Sequence, residues 1–282
     1  MKIAWIGTGV MGKAMLSHLL DKHELHVYNR TFEKMDDIPT PYKYQSIKEC
    51  VKDCDVVITM VGYPEDVKDV YFNDGILSHA KKHAILIDMT TSSPDLAIEI
   101  NAHSKHFEVL DAPVSGGDTG AKNATLSIMV GGNKETYEKA YPLFQLMGTN
   151  INWIGSHGAG QHCKMCNQIA VAGATAAMSE ALVYMKEYQL DADTVLKAIG
   201  SGAAQSWQLT NMAPRVLKKD FDPGFFIKHF TKDMRIAKAE LEKVGIHLEM
   251  LNTVYEMYVT LENEGYGNDG TQALIKYYSE RK

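Results

Sequence analysis

From the start of the chain to about residue 156, short β-branched and aliphatic runs alternate with stretches whose apolar positions recur at helical spacing. The runs are Ile3-Ala-Trp-Ile6, Leu25-His-Val-Tyr28, Asp55-Val-Val-Ile-Thr-Met-Val61, Ala84-Ile-Leu-Ile-Asp88, Val109-Leu110 and Leu126-Ser-Ile-Met-Val130. Between Val56 and Val61 nearly every position is apolar, as in a parallel strand covered by helices on both faces. The alternation predicts an α/β fold, a Rossmann-type doubly wound sheet.

After Gly155-Ser-His-Gly158 the pattern changes. From Gly160 to about Tyr188 the chain is rich in Ala, Met, Leu and Glu and contains no proline, which predicts one long interdomain helix of about 40 Å at a rise of about 1.5 Å per residue. Further helical segments follow, broken at Gly200 to Gly202, Pro214, Pro223-Gly224 and Gly265 to Gly270. The expectation is a sheet domain over residues 1–157 and an all-helical domain over 158–282, with no internal repeat and no low-complexity linker.

A chain of 282 residues with 45% hydrophobic and 23% charged content needs neither disulfides nor metal to fold. The net charge of −6 argues against a broad nucleic-acid-binding face. Met1-Lys2 runs directly into an apolar segment and then into glycines, so no signal peptide is expected. No uninterrupted apolar run reaches the roughly eighteen residues that cross a bilayer. Four cysteines, Cys50, Cys54, Cys163 and Cys166, read as reduced thiols and predict a cytoplasmic location without membrane partners. Cys163 and Cys166 have CxxC spacing, but there is no second pair, so we expect packing residues and no metal. His157 and His162 read as hydrogen-bonded structure.

The first strand leads into Gly7-Thr8-Gly9-Val10-Met11-Gly12 and then a helix running to about Asp21. In that context the three glycines have separate uses. Gly7 permits a tight turn, Gly9 a close backbone approach to a pyrophosphate, and Gly12 close packing of helix on strand. About twenty residues on, where an NAD site carries an acid for the ribose 2′-hydroxyl, the chain reads Asn29-Arg30-Thr31. Arg30 can pair with a 2′-phosphate while Asn29 and Thr31 add neutral hydrogen bonds, so NADPH is expected in preference to NADH.

Four motifs in order make the chain resemble the β-hydroxyacid dehydrogenase family, which includes enzymes of the 3-hydroxyisobutyrate dehydrogenase, tartronate semialdehyde reductase and glyoxylate/succinic semialdehyde reductase types. They are the glycine turn with Met11 before Gly12, the loop Asp111-Ala-Pro-Val-Ser-Gly-Gly117, the segment Gly158-Ala-Gly160-Gln-His-Cys-Lys164-Met-Cys-Asn167, and the pair Lys232-Asp233. The resemblance spans essentially the whole chain. It implies an NADP-dependent oxidoreductase that interconverts a small β-hydroxyacid and its semialdehyde or keto acid.

By that resemblance Lys164 is the general acid/base, Ser115, Gly116 and Gly117 hold the substrate, Asn167 orients it, and Gln168 binds the substrate beside it. Lys232 reaches the nicotinamide end, and Thr91 touches the cofactor from a strand end; Val61, at the end of its apolar run, joins the cofactor edge. The residues themselves agree. The N–H groups of the Ser115 loop can form an anion nest, and Lys164, Asn167 and Gln168, three and four positions apart, share one helical face. Burial between domains would lower the lysine pKa toward working pH. Two positions depart from the family: Gln168 stands where a second asparagine is common, and Ala124 where glycine is common. Lys232 is read as preceding an amphipathic helix. The partner expected is a small carboxylate-bearing aldehyde or hydroxyacid, with homodimer or homotetramer formation. Competing readings are an imine reductase of the same fold, against which Lys164 counts, and a catalytically silent NADP-binding module.

Overall fold

A computed structural model describes residues 1–279. The chain divides into two compact units, Met1–Lys164 and Met165–Lys282.

The first unit is built on one sheet. Its strands are β1 (Lys2–Ile6), β2 (Glu24–Tyr28), β3 (Lys43–Tyr44), β4 (Val56–Thr59), β5 (Ile85–Asp88), β6 (Glu108–Asp111), β7 (Val114–Ser115), β8 (Leu126–Gly132) and β9 (Gly148–Gly155). The order β3-β2-β1-β4-β5-β6 is parallel throughout, which is the doubly wound arrangement, with its direction reversing between β1 and β4. The far edge departs from a purely parallel sheet: β8 runs antiparallel to β6 and β7, and β9 pairs with β8 in parallel. The apolar pattern did not announce β9, because Gly-Thr-Asn-Ile-Asn-Trp-Ile-Gly is an edge strand with mostly exposed positions.

The sheet's two faces are packed separately. Trp5, Met15, Leu16 and Phe144 belong to one buried cluster, and Ile6, Val57, Tyr71 and Leu86 to the other. β4 is buried at all four positions, so the nearly continuous apolar run follows from being covered on both sides. The first helix, Val10–Ser17, stops one turn before the expected Asp21, and residues 18–22 continue as turns.

The long helix spans Ala159–Glu187. Among the described residues of the second unit no strand occurs; its elements are helices and helical turns. Met165, Ala172, Phe230, Tyr258 and Leu274 pack in one cluster and Met178, Leu182, Leu209 and Val216 in another. Pro214, expected as a break, instead lies in the first turn of the helix Ala213–Leu217, where a missing N–H costs nothing. Among the described residues no helix is long and apolar enough to cross a membrane.

Candidate functional site

The carboxyl ends of β1, β2, β4 and β5 bring together the predicted nucleotide-facing residues. Gly7 has φ +100, and a Cβ there would collide with the Met60 carbonyl. Its N–H donates to Tyr28 O (2.9 Å), and Trp5 Nε1 donates to its carbonyl (2.9 Å). Gly12 leaves no room for a Cβ against the Gly7 carbonyl, whereas at Gly9 a Cβ would meet nothing within 4 Å. The turn is therefore closed at Gly7 and Gly12 and open at Gly9, where Val10 is exposed and the helix's first N–H groups begin. An opening at the middle glycine beside a helix N-terminus fits a pyrophosphate.

Asn29 fixes the next part of this edge. Its Oδ1 accepts from Thr8 N (3.0 Å), and its Nδ2 donates to Thr31 O (2.9 Å). Arg30 extends from β2 with its side chain 83% exposed and donates to Asp66 Oδ1 at 3.2 Å. Such an exposed pair is worth at most about 1 kcal/mol, so the guanidinium exchanges readily onto a phosphate. From β4, Val61 N donates to Thr90 Oγ1 at 3.0 Å. An open cleft of about 830 Å³ lies at the other end of the sheet among Lys2, Leu20, Asp53 and Lys81. It touches none of these residues, and we attach no chemistry to it.

Two buried carboxyl groups close the ends of β5 and β6. Asp88 accepts from Thr59 Oγ1 (2.8 Å) and Thr90 N (3.1 Å), and burial pushes its pKa up to about 6. Asp111 takes the N–H of Gly158 on Oδ1 (2.8 Å) and that of Gln161 on Oδ2 (2.9 Å), so it caps the long helix. Burial raises its pKa as well, with those two N–H bonds opposing the shift. Gln161 is fully buried; its Oε1 accepts from Ser92 N (2.9 Å) and its Nε2 donates to Thr90 O (2.8 Å). Lys164, one turn further along, is 6% exposed.

The loop after β7 turns through Gly116 (φ +134) and Gly117 (φ +61) into the short helix Gly117–Lys122. Ser115 itself is paired in register with Ser127. Ala124, where the family resemblance implied glycine, has φ +54, a left-handed conformation that explains the usual glycine.

In the second unit, Asn167 Nδ2 donates to Gln168 Oε1 (2.7 Å), and Gln168 Nε2 donates to Asp233 Oδ2 (2.6 Å). Lys232 Nζ forms an ion pair with Asp233 Oδ1 at 2.9 Å, both side chains buried. Asp233 thus sets the polarity of the chain: its carboxylate only accepts, which turns the Gln168 amide inward and leaves the Gln168 carbonyl for Asn167.

Three expectations are corrected here. Lys232 does not precede a helix but lies in the second turn of Ile227–Lys243, which starts early because Phe226, with no side-chain cap, bridges Gly270. Cys166 is exposed, so it is not a packing residue, and Cys163 is only partly buried. His162 is exposed, whereas His157 Nε2 does bond to Val109 O at 3.1 Å. Sequence reasoning missed Asp111 and Gln161 as site-forming residues. Among the described residues no group of three or more metal-ligating side chains occurs.

Residues 2–155 match the family model for the NAD binding domain of 6-phosphogluconate dehydrogenase. Residues 158–278 match the one described as NAD-binding of NADP-dependent 3-hydroxyisobutyrate dehydrogenase. The chain is 50% identical over 282 residues to an uncharacterized oxidoreductase of Bacillus subtilis (strain 168), covering 98% of each. It is 42% identical to the probable 3-hydroxyisobutyrate dehydrogenase-like 1, mitochondrial, of Arabidopsis thaliana, over 97% of this chain and 84% of that protein. The solved structure of Mycobacterium tuberculosis 3-hydroxyisobutyrate dehydrogenase with L-serine superposes with a TM-score of 0.90 at 29% identity, covering 100% of this chain and 99% of the other.

Proposed function

Because the chain belongs to the 3-hydroxyisobutyrate dehydrogenase family, we propose that it is an NADP-dependent dehydrogenase interconverting a small β-hydroxyacid and its semialdehyde or keto acid, with Lys164 as general acid/base. The observation that carries this reading is Lys164 itself, a buried amine-bearing side chain on a helix whose first turn is fixed by Asp111 and Gln161.

A nicotinamide held by the cofactor edge would supply or accept the hydride. In reduction, the Lys164 ammonium donates its proton to the oxygen that was the carbonyl; in oxidation, the neutral amine takes the hydroxyl proton. Burial of the side chain keeps competing water from that proton. Gly7, Thr8, Gly9, Val10, Met11 and Gly12 hold the pyrophosphate. Asn29, Arg30 and Thr31 hold the 2′-phosphate at the end of β2, while Val61 and Thr91, beyond the glycine turn at the ends of β4 and β5, and Lys232 serve the nicotinamide half. Ser115, Gly116 and Gly117 take the substrate carboxylate, and Asn167 orients the substrate. Gln168 lines the substrate pocket beside Asn167, its amide steadied by bonds to Asn167 and Asp233.

A three- or four-carbon acid fits the family resemblance, and L-serine in the mycobacterial relative's structure is of that size. The four free thiols accord with the cytoplasm. Tyr184 and Tyr188, both exposed with ring centroids 4.5 Å apart at the end of the long helix, support self-association as a dimer or tetramer.

The test is NADPH oxidation with glyoxylate, succinic semialdehyde, methylmalonate semialdehyde, tartronate semialdehyde and a cyclic imine, together with NADP+ reduction by 3-hydroxyisobutyrate and L-serine. Turnover of at least one acid is expected. Turnover of cyclic imines alone, or of nothing, overturns the reading.

A further inference from the structure

We propose that Gln161 is a positioning residue that locks the helix carrying Lys164 to the loop carrying Thr91, setting the proton donor and the cofactor edge in one fixed register. The inference rests on the function proposed above. The two groups its amide grips, the Thr90 carbonyl and the Ser92 N–H, belong to the residues on either side of Thr91. One buried side chain therefore holds the backbone across the residue assigned to the cofactor.

The rest of the loop is held from below. Thr90 N–H donates to Asp88, and Thr90 Oγ1 accepts from Val61 N, so the sheet holds the segment at Thr90 and Gln161 holds it on both sides of Thr91. On the helix side, Asp111 holds the Gln161 N–H, and a Cβ on Gly131 would stand 2.7 Å from Gly160 N. The first turn is thus seated directly on the β8 backbone. Gln161 and Lys164 are three residues apart, one turn on the same face, so a shift of the first moves the second. Lys164 cannot drift relative to Thr91 while the amide bonds stand.

Only a primary amide satisfies both groups. Ser92 N–H requires an acceptor and Thr90 O requires a donor. Methionine offers neither, and an ionised glutamate sets an anionic oxygen against the Thr90 carbonyl. A displacement of about 1 Å between reacting groups can cost about a hundredfold in rate.

The experiment compares parent, Gln161→Met and Gln161→Glu as full-length proteins. It measures kcat, KM, and binding of NADPH and of adenosine 2′,5′-bisphosphate, which lacks the nicotinamide half. For Gln161→Met we expect kcat to fall tenfold to a hundredfold with the aldehyde KM within threefold, and NADPH binding to weaken at least threefold while the bisphosphate binds as in the parent. For Gln161→Glu, turnover relative to the parent should climb as pH is lowered from 8 to 6, because the protonated carboxyl can donate to Thr90 O. Parental kcat and NADPH binding in the methionine variant overturn the proposal, as does equal weakening of both nucleotides, which marks general damage to the nucleotide unit. A parent that turns over none of the acids fails the proposed function instead, and the two nucleotide affinities then decide on Gln161 by themselves.

Discussion

Replacing Arg30 by Ala removes the cation that the end of β2 offers a 2′-phosphate, and the structure sets the size of the effect. A charge-assisted bond to phosphate contributes about 1.5 to 3 kcal/mol. Against this stands the loss of the exposed Arg30–Asp66 contact on binding, at most about 1 kcal/mol. The difference, about 0.5 to 3 kcal/mol, corresponds to a twofold to 150-fold loss of NADPH affinity. NADH affinity should stay within twofold, because Asn29 still holds the turn through Thr8 and Thr31. Fluorescence titration of parent and variant with both nucleotides gives the ratio directly. Since the pairing is ionic, the NADPH loss should shrink as salt is raised. If Arg30→Ala lowers both affinities equally, or neither, the guanidinium does not read the phosphate.

Two further predictions concern stability. Asp88 has a folded pKa of about 6 against an unfolded value near 3.8; the folded state therefore binds its proton more tightly, and stability falls as pH rises through that window. The gap amounts to about 3 kcal/mol. Asp88→Asn should gain on the parent by that amount between pH 4 and 6.5 in urea denaturation and then level off, and a difference independent of pH refutes the shift. Ala124→Gly relieves a left-handed alanine (φ +54), worth about 1 to 2 kcal/mol, less the added unfolded-state entropy of glycine. A net stabilisation of about 0.5 to 1 kcal/mol is expected in the same assay; destabilisation contradicts the strain argument.

What the sequence disclosed and what it concealed divide along physical lines. The glycine turn was legible because each glycine answers a separate steric demand within six residues, and the structure meets those demands at Gly7 and Gly12. β4 was legible because burial on both faces leaves no solvent-facing position, and its one polar residue, Thr59, is spent inside on Asp88. β9 was not, since an exposed edge strand carries no apolar pattern. The start of the helix Ile227–Lys243 escaped notice because Phe226 is no usual cap and its bridge to Gly270 is tertiary. Asp111 and Gln161 were silent for the same reason: their partners lie 47 to 71 residues away, and no local spacing encodes such a contact. A buried Asp ending the short apolar run Val109-Leu110 was the one available signal.

The claim that Lys164 carries the proton is tested most directly by Lys164→Met, which keeps the length and apolar volume of the side chain and deletes the ammonium. The glycine turn and Arg30 are untouched, so NADPH should bind as in the parent. Turnover of the accepted aldehyde should fall about a hundredfold to ten-thousandfold, the usual contribution of a positioned general acid. A variant that binds NADPH normally and still reduces that aldehyde within a few-fold of the parent rate would contradict the account.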